Sequence, residues 1–194
     1  MKKLAAATMT AALLSGVPTV AYAMTPSTAS AGTSQATAAA GAPATKGGWA
    51  RVVSPGERVH AAPGVVLWLT EEGKHWSTPN QPDQFRSVVD GNIDPTRPSV
   101  SLQAEPVGDR YFLSGVYVIP DDAADAADAA TVRVVTGLGT VTGTVVRLPG
   151  HPGWGAWYAT SPLPSSLPLP GSPFIRSVTV FDAGHRPLAT LAIG

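Results

Sequence analysis

The chain contains no cysteine. That excludes a disulfide-stapled scaffold and thiolate chemistry. It leaves export open, because a domain with a large enough core needs no staples. Charge is scarce as well: acidic and basic residues stand at 13 each in 194 residues and cancel. A near-neutral chain offers no electrostatic attraction to nucleic acid or to an anionic membrane surface, so neither is an expected partner. After the N-terminal segment there is no long apolar run, and Leu191-Ala192-Ile193-Gly194 falls well short of the roughly 20 apolar residues a spanning helix requires.

What is present begins with an address. Met1-Lys2-Lys3 is a short basic start, Leu4 to Val20 is apolar and small, and Ala21-Tyr22-Ala23 puts small residues three and one before a cut. This is the layout of a secretory signal peptide over residues 1–23, with cleavage expected after Ala23. Thr8, Thr10, Ser15, Gly16, Pro18 and Thr19 dilute the run, which argues against a stable transmembrane anchor. No cysteine follows for a lipid, no Arg-Arg pair precedes the run, and no Leu-Pro-x-Thr-Gly signal ends the chain. The expected location is secreted or cell-surface, outside the cytoplasm.

Residues 24–47 are almost entirely Ala, Thr, Ser, Gly and Pro, with one charge at Lys46. Apart from Met24 they have no large apolar side chain to bury, so they read as a disordered spacer. Residues 48–194 read as a single domain.

Within that domain, short runs of β-branched and aromatic residues are broken by Gly, Pro, Asp and Asn, the pattern of strands and turns. Strands are expected at Trp49–Val53, Arg58–Ala61, Val65–Thr70, Lys74–Ser77, Ser99–Glu105, Arg110–Ile119, Val132–Thr136, Val141–Leu148, Trp154–Thr160, Ile175–Phe181 and Leu188–Ile193. Glu71-Glu72-Gly73 and Gly137-Leu138-Gly139 read as hairpin turns. Arg110–Ile119 is apolar on both faces, as a strand between two layers would be. Residues 79–98 are proline-rich, and Phe85, Val88 and Val89 at helical spacing suggest one short helix in a long loop. Together these predict an all-β fold, a two-layer antiparallel β-sandwich, immunoglobulin-like in the broad sense, with a small β-barrel as the alternative.

Motifs that carry chemistry are few. The Asp-Ala-Ala units from Asp121 to Ala130 lack the alternate acids and central Gly of a calcium loop, and read as a lengthened hairpin loop. His60, His75, His151 and His185 are too far apart in sequence for paired zinc ligation, so no metal is expected and no cofactor. There is no Gly-x-Ser-x-Gly, Ser-x-x-Lys or His-Glu-x-x-His, and no catalytic residue is assigned. Ser161 to Phe174, with five prolines, reads as a stiff connection between sheets.

The aromatic residues give the best site candidates. Trp68 lies in a strongly apolar strand and is assigned to the core. Trp154-Gly155-Ala156-Trp157-Tyr158 follows the Pro149-Gly150-His151-Pro152-Gly153 turn. On a strand Trp154 and Tyr158 point one way and Trp157 the other. His151, Trp154, Trp157 and Tyr158 are therefore the candidate ligand-binding residues, as rings beside a loop mouth where a sugar or peptide can stack.

The stretch Trp154-Gly-Ala-Trp-Tyr-Ala, with Val178-Thr-Val-Phe-Asp-Ala-Gly-His-Arg-Pro-Leu-Ala, resembles the ends of secreted or membrane-tethered actinobacterial proteins of unknown function. The resemblance covers only the C-terminal quarter. It implies a β-domain outside the cytoplasm and brings no catalytic residue. The functional expectation is an exported, non-catalytic protein with a recognition or structural role, its partner a cell-wall polymer or another surface protein. The alternatives are an extracellular hydrolase acting on a polymer and an accessory partner of a membrane or secreted protein.

Overall fold

The computed structural model describes residues 49–120, 128–150, 152–165 and 173–193. The expected signal segment 1–23, the spacer 24–47, the Asp-Ala-Ala units up to residue 127, His151 and residues 166–172 of the proline-rich stretch lie outside the described residues.

The described chain is all-β. Its strands are β1 (Arg51–Val52), β2 (Val59–Ala62), β3 (Val65–Thr70), β4 (Gly73–Ser77), β5 (Gln84–Ser87), β6 (Ser99–Val100), β7 (Gln103–Val107), β8 (Arg110–Val118), β9 (Ala129–Thr136), β10 (Gly139–Arg147), β11 (Trp154–Pro162), β12 (Ile175–Asp182) and β13 (Pro187–Ala192). No helix among the described residues is long and apolar enough to cross a membrane.

The strands make two sheets. The smaller is a meander in the order β2-β3-β4-β5. The larger runs β13-β12-β9-β10-β11-β8-β6, with β7 also paired to β8 and β1 paired in parallel to the end of β10. In it β10 changes partner halfway: Gly139 to Gly143 pair with β9, and Thr144 to Val146 pair with β11. The sheet curls until β6 touches β13, so it is nearly barrel-shaped.

The middle strands β8, β10 and β11 are covered on both faces, as the two-sided apolar pattern of Arg110–Ile119 predicts. One face points into the curl, where Leu113, Tyr117, Val145, Trp157 and Ala159 meet Val132, Val134, Val178 and Val180. The other carries Phe112, Val146, Leu148 and Ala156 against Val59, Val65, Leu67, Leu69 and Trp76 of the smaller sheet.

Two glycines make room inside the curl. Gly115 is paired directly with Trp157, and a Cβ there would lie 1.9 Å from the Ser101 carbonyl oxygen and 2.6 Å from Trp157 Nε1. Gly155 is paired with Tyr117, and its Cβ would lie 2.4 Å from the phenol oxygen. A ring laid over a cross-strand glycine recovers the packing area the glycine lacks.

Two sequence-based expectations give way. Residues 84–87 form strand β5, not a helix: Phe85 pairs with His75, and the Val88 amide bonds the Glu72 carbonyl. Cross-strand pairing outweighs the weak helical spacing of three residues. The strand expected over Ser99–Glu105 is broken at Ser101–Leu102. There the Ser101 amide donates to the Val116 carbonyl, the Ser101 hydroxyl accepts from the Val116 amide, and the Ser101 carbonyl accepts the Trp157 indole N–H at 3.1 Å.

Candidate functional site

Period-two alternation sorts the small sheet into two faces. Leu67, Leu69 and Trp76 point toward the larger sheet. Arg58, Trp68, His75 and Phe85 point away from it; the register lines up Trp68, His75 and Phe85 across β3, β4 and β5, and Arg58, the residue before β2, extends the row over Trp68. The Arg58 guanidinium carbon stands 3.4 Å from the centroid of the Trp68 ring. Trp68 and His75 are stacked at 5.2 Å with 11° between planes, and His75 and Phe85 follow at 4.4 Å.

The row explains why Trp68 is only 8% exposed. Its neighbours in the row cover its two ring faces, although it lies on the sheet's outer face. The ends are open: Phe85 is 46% exposed, and Arg58 is exposed with no hydrogen-bond or ion-pair partner among the described residues. Burial, helped by the Arg58 charge and opposed by Glu72, holds the His75 imidazole below the ordinary histidine range. It is therefore neutral near pH 7, and its Nε2 lies 3.1 Å from Thr70 Oγ1. The row thus joins a cation with free N–H edges to an exposed ring, through two rings that fix their positions.

The opposite face of the same sheet carries a second polar group. Lys74 and Trp76, two apart on β4, face Gln103 and Glu105, two apart on β7. Lys74 is fully buried. Its Nζ donates to Gln103 Oε1 and to Ser114 Oγ, the latter at 2.8 Å, and stands 4.0 Å from the Trp76 ring centroid. The Trp76 indole N–H donates to Glu105 Oε1 at 2.6 Å, while the buried Oε2 of Glu105 has no partner among the described residues. Burial pushes the Lys74 amine down to about 7; Glu105 opposes this shift and Arg86 adds to it.

A serine beside a lysine of low basicity has the ingredients of a nucleophile and base. Ser114, however, is 1% exposed, and no substrate carbonyl can reach it. A cleft of about 220 Å³ lined by Arg86, Asp94, Ser101 and Val116 opens on neighbours of this group but not on Ser114 itself. Among the described residues no three His, Asp or Glu side chains gather to hold a metal.

Compared with protein-family models, curated protein sequences and solved structures, the chain gives no match. Its function is therefore read from its own side chains.

The residues singled out from sequence are divided by β11. Trp157 is fully buried inside the curl, while Trp154 and Tyr158 are half-buried and pack against the intersheet core. His151 lies outside the described residues. Trp154 and Tyr158 do share a face opposite Trp157, as the strand period requires. The Arg58–Phe85 row is hidden in the sequence because Phe85, Val88 and Val89 stand at helical spacing in a proline-rich stretch, which conceals the fourth strand. A turn over Glu71-Glu72-Gly73 sets Trp68 opposite Trp76; in the structure the turn is Glu71-Glu72 with Gly73 paired to Thr70, and this sets Trp68 opposite His75. Lys74 carried no signal, since a lysine on a short strand reads as solvent-facing.

Proposed function

We propose that this is an exported, non-catalytic recognition domain, displayed outside the cytoplasm beyond its N-terminal spacer. We propose that it binds an extended acidic polymer across the outer face of β2–β5. The observation that carries this reading is the Arg58–Trp68–His75–Phe85 row. Four neighbouring strands span roughly 14 Å, using about 4.8 Å per strand spacing. A ligand that uses both ends must therefore be long. Phe85 offers a ring face for a sugar ring or apolar group, and Arg58 offers forked N–H donors to a carboxylate or phosphate. The packing of the small sheet on one face of the larger one supports a sandwich, immunoglobulin-like in the broad sense, for that half of the domain. The signal-peptide layout of residues 1–23 supports export. The hydrolase alternative would need an accessible nucleophile, and the buried Ser114 speaks against it.

The test is binding of the purified chain to isolated anionic cell-wall polysaccharide, with a neutral polysaccharide as control. Arg58→Ala and Phe85→Ala should each weaken binding to the acidic polymer about tenfold, the ratio that corresponds to 1.4 kcal/mol. Added salt should weaken it further. Unchanged binding in both variants would overturn the assignment.

A further inference from the structure

The buried amine of Lys74 lies against a carboxamide. We infer that Lys74 and Gln103 are the partners of an intramolecular amide bond that staples the small sheet to the large one, with Glu105 as the proton carrier. The inference is independent of the outer-face reading and concerns the opposite side of the same sheet.

Three features of the site support it. The amine and the amide are already in contact, since Lys74 Nζ donates to Gln103 Oε1. The amine is fully buried, where the neutral, nucleophilic form is favoured over ammonium, and its basicity falls to about 7. The carboxylate whose charge acts on that amine, Glu105, is anchored through Oε1 by the Trp76 indole, while its buried Oε2 is left without a partner among the described residues. A buried polar atom without a partner calls for an explanation, and a proton-transfer role supplies one.

The chemistry balances without an oxidant or a co-reactant. The Nζ lone pair attacks Gln103 Cδ, and negative charge collects on Oε1. Glu105 makes no ion pair with Lys74 among the described residues, so its free Oε2 must close on Nζ as the adduct forms, take the proton there and deliver it to Nε2. The Cδ–Nε2 bond breaks, ammonia leaves, and a secondary amide remains between Nζ and Cδ. Holding a fully buried amine against the half-buried carboxamide is what makes an otherwise slow aminolysis accessible. The product would join positions 29 apart in sequence and restrict the unfolded chain as a disulfide does. A chain with no cysteine has no disulfide for that purpose.

The experiment is intact mass measurement on the full chain and any processed form, in denaturant, followed by peptide mapping. The expected result is a mass lower than the sequence by one ammonia, with a branched peptide linking Lys74 to Gln103 and no tryptic cleavage after Lys74. Lys74→Met and Glu105→Gln should both restore the full mass, and Glu105→Gln should still show a cooperative melt, separating proton transfer from folding. Gln103→Glu should lose water instead of ammonia. A folded wild-type chain at the full sequence mass would overturn the proposal. So would loss of water with a branch at Glu105, or loss of ammonia mapped to Asn80 or Asn92.

Discussion

The two cores of this domain follow different rules. The interior of the curled sheet is built from valines, alanines and rings laid over glycines, and its indole N–H is satisfied by the backbone carbonyl of Ser101. The layer between the two sheets has an equally apolar centre but includes Lys74, Gln103, Glu105, Ser114 and the Trp76 N–H. Burying an amine and a carboxylate is costly, and well-packed apolar side chains would serve stability at least as well. The first core is explained by packing alone. The second retains groups that packing does not require, and there the structure points to chemistry.

The largest effect should come from breaking the first core. Trp157→Ala removes a fully buried ring and leaves Gly115 facing a void, at an expected cost of about 3–5 kcal/mol. Gly115→Ala attacks the same contact from the other side, because its Cβ meets the backbone oxygen of Ser101 at 1.9 Å. Overpacking of that kind costs about 1–3 kcal/mol. Urea unfolding would measure both. If Trp157→Ala unfolds no more easily than wild type, the curl is not the main source of stability.

The next effect tests the second core. Lys74→Met keeps side-chain length and removes the amine, so Gln103 Oε1 and Ser114 Oγ lose their donor. An unsatisfied buried group costs about 1–3 kcal/mol, and loss of the proposed amide adds to that. A neutral or stabilising outcome would mean that the polar layer is dispensable and that no staple forms.

How far the sequence reveals these two regions differs for a physical reason. The first core was legible, because β-branched residues at period two declare their burial, and β8, β11 and β12 lie within two residues of their predicted ends. Packing on both faces of β8 followed from the same pattern. The curl answers in part to the alternative, a small β-barrel, but its closure depends on β10 exchanging β9 for β11, which leaves no mark in local composition. The buried amine was illegible because lysine is among the least buried residue types, and only the facing of β4 on β7 and β8 gives it partners. The strand β5 was lost to a helical spacing of three residues, and with it the outer-face row.

A smaller effect separates the linked and unlinked states of the second core. With its folded value near 7, against about 10.4 for free lysine, an unlinked Lys74 sheds its proton in the folded chain first. Between those values the unfolded chain binds more protons, so stability rises with pH there and is flat with respect to this group below the window. Glu105→Gln removes a charge that raises the Lys74 value while Arg86 still lowers it, so the window opens at lower pH with the same sign. His75, held below its ordinary value, completes its titration before the window, and the raised Tyr117 titrates above it. Urea midpoints from about pH 7 to 10 should therefore climb in Glu105→Gln and stay level in the linked wild type. A climb of equal size in both would show that the wild-type amine is free.

The smallest stability effect belongs to the outer face, and there it carries the most functional information. Phe85 is 46% exposed and packs on one neighbour in the row, His75. Truncating a ring that is half in water and away from both cores leaves the interior packing intact. Phe85→Ala is expected within about 0.5 kcal/mol of wild type, the range of ordinary surface changes, while weakening polymer binding. His75→Ala should be intermediate, because it uncovers one face of Trp68 and frees Thr70 Oγ1. The pair is read by thermal melting together with polysaccharide binding. A row built for recognition loses binding in Phe85→Ala at nearly constant stability. A row that only braces the small sheet loses stability in both variants, with binding falling only as far as the folded fraction does.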